Sequence, residues 1–485
     1  MIYNKVPKIF FRADGNEKIG LGHITRSSAL ASTINSDYDC ILATRCKISH
    51  VLEAISYIYK HIVQLPETDF HSEAAGASNI FENADLIILD GYPFDAGYQQ
   101  ELLKQEFDFF SIDDIHASPF FSRIIINHGG GIRPFDYKAR PATQFYLGPS
   151  YSLLRKPFLD AAKKRRNKVI NKNCFVCFGG ADPENKTLEI LRSDNIREHF
   201  EQFHVVTGSA YIYKEELKRF ADSKENIFLY SSLSSEEIVS LMKQCCFAIC
   251  SPSTIVYEYM SVGGIVFLEQ IADNQEHVIK YMTGEGLAFL INDIGNIEEN
   301  SLKLSLEKQS LYFDGRSDER FRKIFRQHFY GKNMVIRRAE NMDLQICFNW
   351  ANDKAVREQS YNQNPIGFDE HTEWFHQKRN DPDSFFYIIE MDGEPIAQVR
   401  FQVSGGEAVL GYLADEKIRN KGLGTAILSK GIEKFVNDYR NPIQIVGYVK
   451  NSNYPSQHSF EKLAFVKTKS TKYPDSFKYT MYYDN

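Results

Sequence analysis

A chain of 485 residues exceeds what one ordinary hydrophobic core holds and predicts two to four domains. Its 57 basic and 63 acidic residues are well mixed and sum to −6, which excludes the basic footprint of a nucleic-acid binder. Hydrophobic residues make up 43% and no apolar run reaches the roughly 18 residues of a membrane span, so globular domains are expected. Lys5 and Lys8 precede no apolar leader segment, and the expected location is cytoplasmic. Lys8–Phe11 is a short apolar run that reads as a first buried strand. Gly20 and Gly22 bracket the turn that follows, and helical spacing starts at about His23. A strand, a glycine turn and a helix N-terminus together offer N–H groups and a positive dipole to an anion. The same dipole disfavours a charged His23, leaving a neutral imidazole that accepts a proton. A helix cap and a catalytic base are both open to that histidine. Arg12, Asp14, Asn16, His23 and Arg26 crowd this one turn, where open α/β sheets bind ligands.

Further apolar runs at Cys40–Ala43, Leu86–Asp90, Phe109–Ile112 and Ile124–Asn127 lack alternation, which predicts a parallel sheet covered on both faces. Polar residues gather at their carboxyl ends: Asp90 and Tyr92, then Asp113 and Asp114, then Asn127 with the glycines 129–131. Capping and a site role are both open to Asp113 and Asp114. A second sheet is predicted from Asn173–Phe178, Phe203–Thr207, Ile227–Tyr230, Phe247–Cys250 and Ile265–Leu268. Its first strand ends in Gly179, Gly180, Ala181 and Asp182, repeating the glycine turn. Cys174 and Cys177 lie three apart on that strand and face opposite sides, so they do not chelate a metal, and the eight cysteines read as buried thiols. Ser253 and Thr254 open a helix whose N–H groups suit a diphosphate, and Glu258 lies on a face where it could take ribose hydroxyls. No paired carboxylate motif for a metal appears, and none is expected.

The stretch Arg12–Arg26, Arg-Ala-Asp-Gly-Asn-x-x-Ile-Gly-Leu-Gly-His-x-x-Arg, resembles the signature of the UDP-2,4-diacetamido-2,4,6-trideoxy-β-L-altropyranose hydrolases of pseudaminic acid biosynthesis. The resemblance covers roughly residues 7–325. It implies two Rossmann-like domains in a GT-B arrangement, 1–155 for sugar and catalysis and 156–330 for UDP. It implies His23 as the catalytic residue, with Asp14 and Tyr92 beside it and Arg12, Asn16, Gly20, Gly22, Arg26 and Asn127 near the sugar. Gly179, Gly180, Asp182, Ser253, Thr254, Glu258, Asn274 and Gln275 are implied nucleotide contacts. One departure stands out, since Gly91 replaces the histidine that usually precedes the Tyr92 position.

The pattern changes around Gly331, where a third domain, 331–485, is predicted. Strands at Met334–Arg338, Phe385–Met391, Ile396–Phe401 and Val409–Leu413 lead to Arg419-Asn420-Lys421-Gly422-Leu423-Gly424 and a helix, with an Asp392-Gly393 hairpin between the second and third. That loop is a pyrophosphate cradle. It resembles the acetyl-CoA loop of the Gcn5-related N-acetyltransferases (GNAT), an α+β fold, and Asn453, Ser456 and the helix His458–Leu463 resemble that superfamily's second half. The resemblance implies acetyl-CoA as cosubstrate, held by Leu413, Arg419, Asn420, Lys421, Gly422, Leu423, Gly424, Asn453 and Ser456. Phe460 stands where many members have the tyrosine that protonates the departing thiolate, and Ala464 replaces a glycine. Another donor (Tyr454, His458 or water) or a lost activity follows. Together the resemblances imply a bifunctional enzyme that N-acetylates a UDP-linked amino-dideoxy sugar and then hydrolyses it from UDP. The alternatives are a GT-B glycosyltransferase, or a related nonulosonic acid hydrolase with an inactive tail.

Overall fold

The computed structural model describes residues 6–16, 19–166, 169–180, 182–208, 210–272, 275–391, 393–419 and 421–484. The chain divides into two compact units. One comprises Met1–Pro119, Ile125–Arg133 and Tyr146–Arg322, and the other Phe120–Ile124, Pro134–Phe145 and Lys323–Asn485.

The first sheet along the chain takes β1 (Lys8–Ala13), β2 (Asp39–Thr44), β3 (His61–Gln64), β4 (Leu86–Asp90), β5 (Phe109–Ile112), β6 (Ile124–Asn127) and β7 (Gln144–Leu147). Their order is β3-β2-β1-β4-β5-β6-β7, parallel from β3 to β5. The order reverses between β1 and β4, so the loops at their carboxyl ends part and leave a crevice. Strand β3 was not legible in the sequence because it is a partly exposed edge with no buried apolar run.

The second sheet takes β8 (Asn173–Cys177), β9 (Gln202–Thr207), β10 (Ile227–Ser231), β11 (Phe247–Cys250), β12 (Ile265–Leu268) and β13 (Phe289–Leu290). It is parallel throughout in the order β10-β9-β8-β11-β12-β13. Alternate residues feed separate cores. Cys174, Val176 and Ile249 join one, and Phe175, Cys177 and Ala248 the other. Cys174 and Cys177 thus face opposite sides as free buried thiols.

The third sheet takes β14 (Met334–Arg338), β15 (Ser384–Met391), β16 (Glu394–Ser404), β17 (Glu407–Ala414), β18 (Ile443–Lys450), β19 (Val466–Lys469) and β20 (Ser476–Tyr483). The order is β14-β15-β16-β17-β18-β20-β19, antiparallel except at β17–β18. That parallel pair is bonded only over Glu407–Leu410 and Gln444–Gly447, and the strands part beyond it. The helix Gly424–Tyr439 links them. The next helix, Tyr454–Glu461, starts four residues earlier than expected at His458. Pro455 accounts for this, since a proline in the first turn gives up no helical hydrogen bond. Gly393 of the expected hairpin has φ +81°, and Asp392 lies outside the described residues. No helix among the described residues is long and apolar enough to cross a membrane.

Candidate active sites

The helix Gly22–Ile34 starts one residue before His23, after a turn in which Gly20 takes φ +73°. No side chain caps this helix, so His23 is not its cap. Its Nδ1 lies 2.8 Å from Oδ1 of Asp90, the last residue of β4. Strand order explains the meeting, because β4 is hydrogen-bonded to β1 and both end at the crevice. Arg26 donates to Asp90 Oδ1 at 2.7 Å and to Asp114 Oδ2 at 2.7 Å, and Ser27 Oγ donates to Asp90 at 2.9 Å. Burial works to raise the Asp90 pKa, but Arg26 and His23 hold it down at about 2, so it is a carboxylate at neutral pH. Arg26 Nη2 also stands 3.0 Å from Nδ1, and in the tautomer that donates Nδ1–H to the Asp90 carboxylate the Nε2 lone pair is the acceptor. Nε2 has no protein partner among the described residues. Tyr92 stands edge-on to the ring at 5.0 Å and its hydroxyl reaches toward Asp114 at 3.4 Å.

Two expected site residues face inward instead. Arg12 is fully buried, clamped by Glu73 through Nε and Nη2 (2.7 and 3.0 Å) and by Asp14 (2.8 Å). Asp14 also accepts the Arg45 backbone N–H at 2.7 Å. Burial would raise the Asp14 pKa, yet Arg12 keeps it below the usual carboxylate range. Arg12 and Asp14 therefore neutralise each other and position the turn, and neither is poised to exchange a proton with a ligand. Asn16 shapes the same turn, accepting from Ile19 N–H at 2.9 Å. Of the aspartate pair, Asp113 accepts the His116 N–H at 2.9 Å as a local cap, and Asp114 joins Arg26. Asn127 is buried and accepts from Gly129 N–H at 2.7 Å, shaping the loop after β6. That loop meets helices of the second sheet: His128 lies 4.7 Å from the Tyr257 ring, and Gly130 lies flat on Tyr281, where a Cβ would stand 1.7 Å from the ring. Burial pulls the His128 pKa down to about 4, so it is neutral.

At the switch point of the second sheet, side chains added at Gly179 or Gly180 would meet open space. Gly208 packs on Gly180 so closely that a Cβ there would stand 2.2 Å from its carbonyl oxygen. Asp182 caps the helix Lys186–Arg192 by accepting the Lys186 and Thr187 N–H groups, both at 2.9 Å. That takes the donors a phosphate would need. Ser253 differs from Asp182. It makes no cap bond, so the first N–H groups of the helix Thr254–Val262 stay available to an anion. Glu258 is buried, and Arg155 takes both its oxygens at 2.8 and 2.9 Å, which replaces the expected ribose contact with an internal ion pair. Gln275 accepts from Ile271 N–H at 2.9 Å, and Asn274 lies outside the described residues.

In the second unit, Arg419 is held by the Ala414 carbonyl at 2.9 Å and Asp353 at 2.7 Å, so it anchors the loop rather than presenting its charge. Gly422 takes φ +74°, and a Cβ there would stand 1.8 Å from the Gln327 side chain. Lys421 is exposed, Leu423 is buried in the core, and Asn420 lies outside the described residues. The helix opening at Gly424 has no side-chain cap, so its N–H groups are open. Asn453 caps the helix Tyr454–Glu461 through Ser456 N–H at 3.2 Å, and Ser456 Oγ meets the Tyr412 hydroxyl at 3.1 Å. Leu413 lines a cavity beside Tyr412. Phe460 is buried against Tyr479 and Gly447, while Tyr454 is 71% exposed. Among the described residues no group of His, Cys, Asp and Glu side chains could hold a metal ion.

Residues 347–465 match the model of the acetyltransferase (GNAT) family. The acetyltransferase domain is also similar to the spermidine N-acetyltransferase of Vibrio cholerae solved with CoA and spermine, at 16% identity over 31% of this chain and 95% of that one, with a TM-score of 0.28. The chain is 27% identical to the UDP-2,4-diacetamido-2,4,6-trideoxy-beta-L-altropyranose hydrolase of Campylobacter jejuni over 58% of its length and 97% of that protein's. It is 23% identical to an uncharacterized protein of Methanocaldococcus jannaschii over 95% of its length and 97% of that protein's. Glu73 was missed as a site-building residue, Asp90 was placed at the strand end without a role, and Asp114, left open between capping and the site, joins Arg26. The signal for Asp90 was its position at the end of an apolar run. Its partner needed the strand order.

Proposed function

We propose that this chain is a bifunctional sugar-nucleotide enzyme, in which one part hydrolyses a UDP-linked diacetamido-trideoxy sugar and the acetyltransferase domain N-acetylates its 4-amino precursor with acetyl-CoA. The hydrogen bond between His23 and Asp90 carries the first half. His23 Nε2 takes a proton from water, the water oxygen bonds to the anomeric carbon, and the bond to the UDP oxygen breaks with its electrons leaving on the diphosphate. Attack opposite the leaving group inverts the anomeric centre. The uncapped start of the helix Thr254–Val262 receives the diphosphate, in a GT-B arrangement of domains 1–155 and 156–330. Similarity to the Campylobacter jejuni hydrolase supports the substrate.

In domain 331–485 the N–H groups after Gly422 hold the acetyl-CoA pyrophosphate. The amine attacks the thioester carbonyl, the carbon–sulfur bond breaks as Tyr412 protonates the thiolate in place of Phe460, and the proton shed by the new amide nitrogen passes through water back to the Tyr412 phenolate. Burial raises the Tyr412 pKa, which keeps its proton until the thiolate forms. His23→Asn is expected to lower release of UDP by about 10²–10⁴-fold, the share of a general base, with UDP affinity retained. Product mass spectrometry with UDP-sugar and water alone is the deciding experiment. Activity near wild type in His23→Asn removes the histidine from the step, and no free sugar without an added alcohol points to a glycosyltransferase.

A further inference from the structure

The second unit contains a cavity of about 440 Å³ walled by strands β16, β17 and β18 and by the helix Phe368–Asn380. Its walls carry aromatic rings, Trp374 and Tyr412 among them, and two guanidinium groups, Arg357 and Arg400. Neither arginine has a carboxylate partner among the described residues. Glu370, the one acid on the lining, is exposed and pairs with neither. Arg357 spends two of its nitrogens on the Asn364 carbonyl and Ser360 Oγ. The Arg400 guanidinium makes no hydrogen bond to the described residues. One face of it lies over the Trp374 ring, 4.6 Å from the centroid, which leaves the N–H edge unspent.

An enclosed cation without a counter-charge is unfavourable and persists where a ligand brings the charge. Burial pulls the Arg400 pKa down to about 10, which still leaves it cationic at neutral pH. The Gln398 side-chain oxygen and His371 Nε2 are buried on the same lining without partners, and they call for hydroxyl or amide groups on the ligand. A polyamine would meet two guanidinium groups here and be repelled.

We infer that Arg400 is the specificity-determining residue of the acetyl-acceptor site, binding a phosphate group of the amine that is acetylated. This rests on the acetyltransfer reading above, and its test is separable from it. The chain's only two tryptophans, Trp350 and Trp374, both lie in this unit, and Arg400 lies over the Trp374 ring, so a fluorescence change lost in Arg400→Gln reports binding at this cavity. UDP is titrated into the full chain at saturating acetyl-CoA, which removes the coenzyme's own phosphates as a source. A saturable change is expected, with affinity at least tenfold weaker in Arg400→Gln and partly kept in Arg400→Lys. No change in the wild type, a change abolished by acetyl-CoA, or equal affinity in Arg400→Gln overturns the inference. In turnover, Arg400→Gln is expected to raise KM for the amino sugar nucleotide at least tenfold more than KM for glucosamine, while an equal effect on both overturns it. If no amine is acetylated, the acetyltransfer reading fails and the titration alone decides Arg400.

Discussion

The Asp90 carboxylate accepts from His23, Arg26 and Ser27 at once, with no exposure to solvent. Two consequences belong to this residue. Asp90→Asn removes the anion that keeps the His23 proton on Nδ1 and leaves Arg26 short of a partner. It is expected to cost about 3–5 kcal/mol of stability as a broken buried pair, measured by urea unfolding, with UDP release falling alongside. The second consequence concerns acid. The Asp90 pKa falls from 3.8 to about 2 on folding, so its contribution is complete above pH 4 and is lost as pH drops through about 2. A shift of that size corresponds to about 2 kcal/mol. Unfolding free energies measured between pH 5 and 2 should fall with acidity, and the slope should flatten in Asp90→Asn. Tyr412→Phe is the matching test in the acetyltransferase domain. Thiol release should drop by about 10²-fold, with acetyl-CoA binding unchanged.

Two helix starts, at Thr254 and Gly424, share one device, an N-terminus without a side-chain cap. The helix Lys186–Arg192 lacks it because Asp182 fills the same donors. At the Gly424 start the loop depends on Gly422, whose φ of +74° and contact with Gln327 leave no room for a methyl group. Gly422→Ala should cost about 1–3 kcal/mol of backbone strain and weaken acetyl-CoA binding about tenfold, read by calorimetry on the full chain. A side chain tolerated there with unchanged affinity would detach this loop from the pyrophosphate. These starts were legible as glycine, serine and threonine after apolar runs. Which of them stayed uncapped was not, because Ser253 and Asp182 are equally good caps by residue type and only the fold sets their direction.

At the scale of the molecule, the residues assigned to the two reactions fall in different units, His23 and Asp90 in one and Tyr412 and Ser456 in the other. His23→Asn should therefore lower UDP release while sparing thiol release, and Tyr412→Phe should do the reverse. Assaying both products from one preparation of each variant checks this, and a variant that loses both activities would show the assignment to be wrong.

Local order followed from the chain alone. Apolar runs gave the strands of the first two sheets to within a residue or two, β3, β7 and β13 excepted, and Cys174 and Cys177 fell on opposite faces as the two-residue period of a strand demands. Tertiary structure decided which charges meet. Glu73 reaches Arg12 from 61 residues away, Asp90 reaches His23 from 67 and Glu258 reaches Arg155 from 103. Strand and helix formation depend on neighbours a few residues apart, whereas the partner of a buried charge is chosen by strand order and packing. That is why Arg12 and Glu258 read as ligand contacts in the sequence and stand as internal ion pairs in the fold.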